Sequence, residues 1–195
     1  MLLVYSHAIS LLEVPNEISL CLNISECPCK CKGCSEPYLQ ESRGTPLTIE
    51  FLNGLLDKYK NYNLTCISFM GGDSDHIYLL DILKYVKDKN IKTAFYSGFD
   101  FIDTSLLPYL DYYKYGRFIL PSGDIKEWCK KSCGPINFPW SNQKMFKIVS
   151  INNYYKMIDI TDEFRKDPIS DLNRYVIKVE DYDEVSFKRW PRSIR

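Results

Sequence analysis

Apolar residues fall into short runs separated by turn-forming residues, and their spacing switches between strand-like and helix-like periods along the chain. Residues 18–24, Ile-Ser-Leu-Cys-Leu-Asn-Ile, lie between Pro15-Asn16 and Ser25-Glu26 and predict a buried strand. Thr48 is a candidate N-cap, with Glu50 in the first turn and Phe51, Leu52, Leu55 and Leu56 at helical spacing, which predicts a helix to about Tyr59. Residues 66–70 predict a second strand that stops at Gly71-Gly72-Asp73. Ile77, Leu80, Leu83 and Val86 then mark an amphipathic helix ending near Asn90. Residues 91–97 predict a third strand closed by Gly98. A short helix through Leu106, Leu107 and Leu110 leads to a strand-like stretch over 112–120.

Strands alternating with helices imply parallel pairing through right-handed crossovers, and hence an α/β fold: an incomplete (βα) barrel or an open, doubly wound parallel sheet. The pattern stops in a Gly- and Pro-containing loop over 121–141. Residues 144–150 and 154–160 alternate around Asn152-Asn153, a pair that tolerates positive φ and predicts a C-terminal hairpin. Beyond about Arg165 the chain is charged and loses periodicity, so the expected organisation is one domain over 1–165 and a C-terminal extension over 166–195.

Composition narrows the class. A chain of 195 residues with 45% hydrophobic content can bury one substantial core. The formal net charge is zero and no basic stripe precedes the C-terminal end, which argues against a nucleic-acid binder. No apolar run approaches the roughly 20 residues needed to span a bilayer, so no membrane association is expected. Residues 1–12 faintly resemble a secretory leader but lack a cationic start, and the expectation is a cytoplasmic protein. Eight cysteines in a reducing compartment favour metal binding over a disulfide framework.

Cys27-Pro-Cys-Lys-Cys31-Lys-Gly-Cys34 concentrates that chemistry. Cys27, Cys31 and Cys34 stand in C-x-x-x-C-x-x-C spacing with Cys29 in the gap, a pattern open to zinc, an iron–sulfur cluster or redox chemistry. Three thiolates leave one iron of a cubane without a protein ligand, a position a substrate can take. In α/β sheets ligand sites lie beyond the carboxyl ends of the strands, and here those ends carry the cysteine loop, Gly71-Gly72-Asp73 and Ser97-Gly98. The glycine pair lets backbone approach a ligand, and Asp73 can accept from an ammonium group. By itself Gly71-Gly72-Asp73 also suits an ordinary strand-to-helix turn, and Ser97-Gly98 a simple turn. Cys29 reads as a free thiol, Cys21 and Cys66 as small buried hydrophobes, and Cys129 and Cys133 as loop residues. His7 and His76 lie in no ligand-like cluster and read as structural or solvated.

Cys27-x-x-x-Cys31-x-x-Cys34 after a first strand, with Gly71-Gly72-Asp73 after the second, resembles the radical S-adenosylmethionine superfamily. More narrowly, residues 13–20, Cys31-Lys-Gly-Cys34, Gly44-Thr-Pro-Leu-Thr48, Phe69-Met-Gly-Gly-Asp73, residues 92–98 and Asn142-Gln-Lys-Met-Phe146 resemble the activating proteins of anaerobic ribonucleoside-triphosphate reductase. The resemblance covers residues 1 to about 165 and implies a radical S-adenosylmethionine type of sheet. It implies a [4Fe–4S] cluster held by Cys27, Cys31 and Cys34, whose open iron chelates S-adenosylmethionine. Gly71, Gly72 and Asp73 would hold the methionyl amino end, and Ser97 would line the cofactor pocket. Reductive cleavage would yield methionine and a 5′-deoxyadenosyl radical that takes a hydrogen from a glycine of the reductase large subunit. A flavodoxin-like protein would donate the electron, and no acid–base residue is required. Gly33 before the third cysteine agrees with this branch, whereas Cys29, the 121–141 loop and the tail are departures. Two other readings stay open: a related enzyme acting on a small molecule, of the modified-nucleoside synthase type, and a non-catalytic zinc-binding interaction module.

Overall fold

The computed structural model describes residues 1–119, 142–152, 154–161 and 163. Strand β1 spans Leu3–Ser10 and β2 spans Ser19–Ile24. After the cysteine loop come the two-residue strand β3, Thr45–Pro46, and helix α1, Ile49–Lys58. Then follow β4 at Cys66–Met70, α2 at His76–Asp88, β5 at Lys92–Tyr96 and β6 at Tyr112–Tyr115. A hairpin of β7, Lys144–Ile151, and β8, Tyr154–Asp159, completes the described elements.

All of these strands join one mixed sheet in the order β3-β1-β2-β4-β5-β6-β7-β8. The central four, β2, β4, β5 and β6, run parallel, with Ser19 opposite Cys66, Cys66 opposite Lys92 and Ala94 opposite Tyr112. The flanking strands pair antiparallel, β1 with β2 and β3, and β7 with β6 and β8. Sequence pattern and structure part company at several places. Residues 3–10, read above with a leader-like segment, form β1, which pairs antiparallel with β2 and buries Val4 in the core. The strand expected over 112–120 ends at Tyr115, where Gly116 takes φ 118° and turns the chain. The short helix through Leu106–Leu110 is a single 3-10 turn at Leu107–Tyr109, with Pro108 inside it. Cys129, Cys133 and the extension over 166–195 lie outside the described residues.

Alternation along each strand sends successive side chains to opposite faces. On one face Leu20, Leu22, Ile24, Ile67, Phe69, Phe95 and Tyr113 pack with Leu52 and Leu55 of α1 and Leu79, Leu83 and Val86 of α2. The stripe of α2 is rotated from the one read in the sequence: Ile82 is buried and Ile77 is 81% exposed. A strict three-residue repeat drifts around a helix of 3.6 residues per turn, so Ile77 leaves the buried face. Thr48 caps α1 by accepting from Phe51 N–H at 3.1 Å, and Asp75 caps α2 by accepting from Tyr78 N–H at 3.0 Å.

The other face carries Cys66, Ala94, Tyr96, Tyr112 and Met145, packed with Val14 and Ile160. Residues 11–17 cross this face. Glu17, 4% exposed, accepts from Lys92 Nζ at 2.5 Å and from Tyr112 Oη at 2.7 Å, fixing the segment across the sheet. Cys21 and Cys66 are buried here, and burial pushes both thiols above their ordinary range. No helix among the described residues is long and apolar enough to cross a membrane.

Candidate cluster and cofactor site

Parallel pairing of β2, β4 and β5 brings their carboxyl ends to one edge, so the loops that leave them meet. The loop after β2 holds the cysteines. Its entry is tied by Ser25 N–H to Leu3 O at 2.9 Å and by Ser25 Oγ–H to Arg43 O at 2.5 Å. Cys27 N–H donates to Leu39 O at 2.9 Å, and Cys34 N–H closes a turn on Cys31 O at 3.2 Å. Left-handed backbone at Glu26, Lys30 and Gly33 curls the segment between these ties. Cys27, Cys31 and Cys34 are half-buried, whereas Cys29 is 4% exposed.

Cys27 and Cys31 lie near enough for their charges to act on Cys34. A cubane takes each thiolate on a different iron, so three thiols on one loop can serve one cluster. Burial pushes the Cys34 thiol up, and the neighbouring Cys27 and Cys31 push it further. Three thiolates here repel one another unless cations neutralise them, and iron supplies those cations. Cys29 is the most buried of the four, and it lies against Asp73 as well as Cys27. Its Sγ lies 3.9 Å from Asp73 Oδ2, and burial, followed by the Asp73 charge and Cys27, pushes its thiol up to about 12.

The loop after β4 is the Gly71-Gly72-Asp73 turn. Gly71 takes φ 101° and Gly72 φ 118°, and a Cβ on Gly71 would lie 2.9 Å from Ile24 O. The turn therefore presses against the end of β2, beside the start of the cysteine loop. Asp73 projects from it into the protein, its side chain only 2% exposed. Oδ1 accepts from Ser97 Oγ–H at 2.6 Å and Oδ2 from Gly98 N–H at 2.8 Å. Ser97 Oγ in turn accepts from Phe99 N–H at 3.0 Å. The structure thus brings Cys29, Asp73, Ser97 and Gly98 into contact, with Gly71 and Gly72 behind them.

Sequence reasoning missed several charged groups around this centre. His76 lies with Nε2 3.4 Å from Asp73 Oδ1 and Nδ1 2.8 Å from Asp103 Oδ2, so it is no isolated histidine. Hydrogen bonding to Asp73 raises its pKa, with Asp103 adding to the effect. Glu13 and Lys114 sit deep on the sheet face opposite the helices, each keeping some contact with solvent. Burial pushes Glu13 up to about 7 and Lys114 down to about 8, and in each case the opposite charge of the other offsets part of the shift. Lys114 Nζ stands 4.8 Å from the Tyr96 ring centroid, and Tyr96 Oη donates to Glu13 O. One signal existed in the sequence: Lys114 is the only cation in an otherwise aromatic strand, Tyr-Tyr-Lys-Tyr, and shares its face with Tyr112.

A family model described as a 4Fe-4S single cluster domain matches residues 18–132, more than half of the chain, and spans both the cysteine loop and the Asp73 turn. No curated protein matches the chain, and no solved structure matches it.

Proposed function

We propose, from the premise that this chain belongs to the family of 4Fe-4S single cluster domains, that it is a radical S-adenosylmethionine activase of anaerobic ribonucleoside-triphosphate reductase. One observation carries the reading: the loop bearing Cys27, Cys31 and Cys34 abuts the Asp73–Ser97–Gly98 cluster, with Cys29 Sγ 3.9 Å from Asp73 Oδ2. A three-thiol loop alone suits electron transfer. Set against glycine-rich strand ends that admit a small zwitterion, it suits cluster chemistry on a bound cofactor.

Cys27, Cys31 and Cys34 would hold the cluster, leaving Cys29 outside the ligand set. When bound, such a cluster supplies the electron that cleaves S-adenosylmethionine to methionine and a 5′-deoxyadenosyl radical. The protein's part is to bind and orient. Gly71 and Gly72 let backbone approach the methionyl end, Asp73 brings a carboxylate to the same edge, and Ser97 lines the pocket from β5. Buried apolar side chains behind the strand ends exclude water from a species that would otherwise be quenched. No acid–base residue is assigned, because hydrogen-atom abstraction depends on placement. On this reading the parallel strands, with both helices on one face, form the partial (βα) barrel of the radical S-adenosylmethionine type. The partners are the reductase large subunit, which takes up the glycyl radical, and a flavodoxin-like donor, in the cytoplasm.

Anaerobic reconstitution tests this. The expected result is a brown protein with about four irons per chain that, reduced with dithionite, releases methionine and 5′-deoxyadenosine. Mixed with the reductase large subunit, it should give a glycyl doublet in electron paramagnetic resonance. Cofactor cleavage without a doublet would overturn the activase assignment, and one zinc per colourless chain would overturn the whole reading.

A further inference from the structure

The turn after β4 is wired to the segment after β5 by a chain of charged groups that the proposed chemistry does not itself use. Asp103 Oδ1 accepts from Ser105 N–H at 3.0 Å and from Ser105 Oγ–H at 2.6 Å, which fixes that carboxylate. Its other oxygen faces His76 Nδ1 at 2.8 Å, and the far ring nitrogen faces Asp73 Oδ1 at 3.4 Å. A neutral imidazole has one donor nitrogen and satisfies one carboxylate. Only the imidazolium, with two donors, satisfies both. Phe95 and Phe99, each with its ring centroid 5.6 Å away, wall the imidazole so that it cannot swing clear.

Asp73 is the hub of this chain. A carboxylate offers about four lone-pair directions. Here Ser97 Oγ, Gly98 N–H, His76 Nε2 and, more distantly, the Cys29 thiol surround its two oxygens. With its side chain 2% exposed, Asp73 determines where Ser97 and Gly98 stand relative to the cysteine loop.

We infer that His76 is a positioning residue: held by Asp103, it clamps Asp73 and thereby sets the geometry between the cysteine loop and the Ser97-Gly98 turn that forms the cofactor pocket. The inference rests on the function proposed above for the ligand that reads it out. It concerns His76, Asp103 and Ser105, none of which touches the three ligand thiols. Asp73, Asp103 and Asp75 are the charged groups acting on the imidazole, and all three favour its protonated form.

Two measurements on the full-length chain decide it. The first is calorimetric titration of the cluster-loaded protein with S-adenosylmethionine. His76→Gln and Asp103→Asn should each weaken binding about tenfold, the loss expected for one charge-assisted hydrogen bond. The double variant should lose no more than the worse single, because both cut one chain. Iron content should stay at the wild-type value, and any fall in thermal midpoint should be too small to account for the lost affinity. Unchanged affinity, additive losses, or a loss that merely follows iron content and stability would overturn the inference. The second measurement is nitrogen NMR of the two histidines in the metal-free chain. Across a pH titration His76 should hold its second ring proton to higher pH than His7 does, and Asp103→Asn should bring the His76 titration down toward that of His7. A His76 that titrates no higher than His7 in the wild type overturns the clamp. If the wild-type protein binds no S-adenosylmethionine, the proposed function fails and the NMR arm alone decides the clamp.

Discussion

Gly98 leaves room for Cys29: a Cβ built on Gly98 would lie 2.6 Å from Cys29 Sγ and 3.2 Å from its Cβ. The pair marks where the cysteine loop docks against the end of β5, and its fit rests on one missing methyl group. Gly98→Ala should therefore displace the loop and destabilise the chain by about 1–3 kcal/mol, the usual cost of overpacking a buried contact. Cys29→Ala should reopen the space, so the double variant should recover most of the loss. Denaturant midpoints of the four proteins check this, and a double variant no better than Gly98→Ala would show that the contact is not the cause.

The thiols divide three to one. Cys27→Ala, Cys31→Ala and Cys34→Ala should each leave a colourless protein with little bound iron, whereas Cys29→Ala should retain its iron and colour. Cys29 packs against Asp73 and Gly98, and the C-x-x-x-C-x-x-C spacing is complete without it. Iron and sulfide content after anaerobic reconstitution is the measurement, and equal loss at position 29 would reassign the ligands.

Gly71→Ala should be among the costlier single-methyl changes. It forces an alanine to φ 101° and sets its Cβ 2.9 Å from Ile24 O, which is backbone and cannot step aside. A loss of about 2–4 kcal/mol is expected from strain and crowding together. Gly54→Ala provides the contrast: a Cβ there meets nothing within 4 Å, and in mid-helix it should stabilise by about 0.5–1 kcal/mol. Thermal unfolding of both variants reads the difference.

Glu13 gives the protein a pH signature. Its folded pKa is raised to about 7 from an ordinary 4.5, so the folded state holds a proton that the unfolded chain has already released. The associated stability is present in full below about 4.5 and is lost as pH rises through about 7. Lys114 acts in the opposite sense: its folded pKa is lowered from 10.5 to about 8, so its contribution is present above about 10.5 and lost as pH falls through about 8. Unfolding midpoints from pH 5 to 7 should decline in the wild type and decline less steeply in Glu13→Gln; equal slopes would remove Glu13 as a source.

Much of the strand and helix order was legible because its signals are local. The apolar runs over 18–24, 66–70 and 91–97 lie on β2, β4 and β5, and Thr48 caps α1 as its spacing indicates. β1 was not, since a short amphipathic segment at a chain start looks alike whether it is a leader or a strand, and only pairing with β2 separates the two. At the site, the grouping of the cysteine loop with Asp73 and Ser97 follows from where parallel strands end. The role of His76 does not. It depends on Asp103, 27 residues away, and two residues that distant in sequence carry no mark of their contact.

The ties at the cysteine loop bear on how iron and sulfide enter. Cys27 is held to Leu39 and Ser25 to Arg43, so residues 39–43 back the loop like a strap, and three left-handed residues bend it between those holds. The mould is written into main-chain bonds that need no metal. Assembly then requires little rearrangement of the chain, and its pace should follow the supply of iron and sulfide more than any folding event.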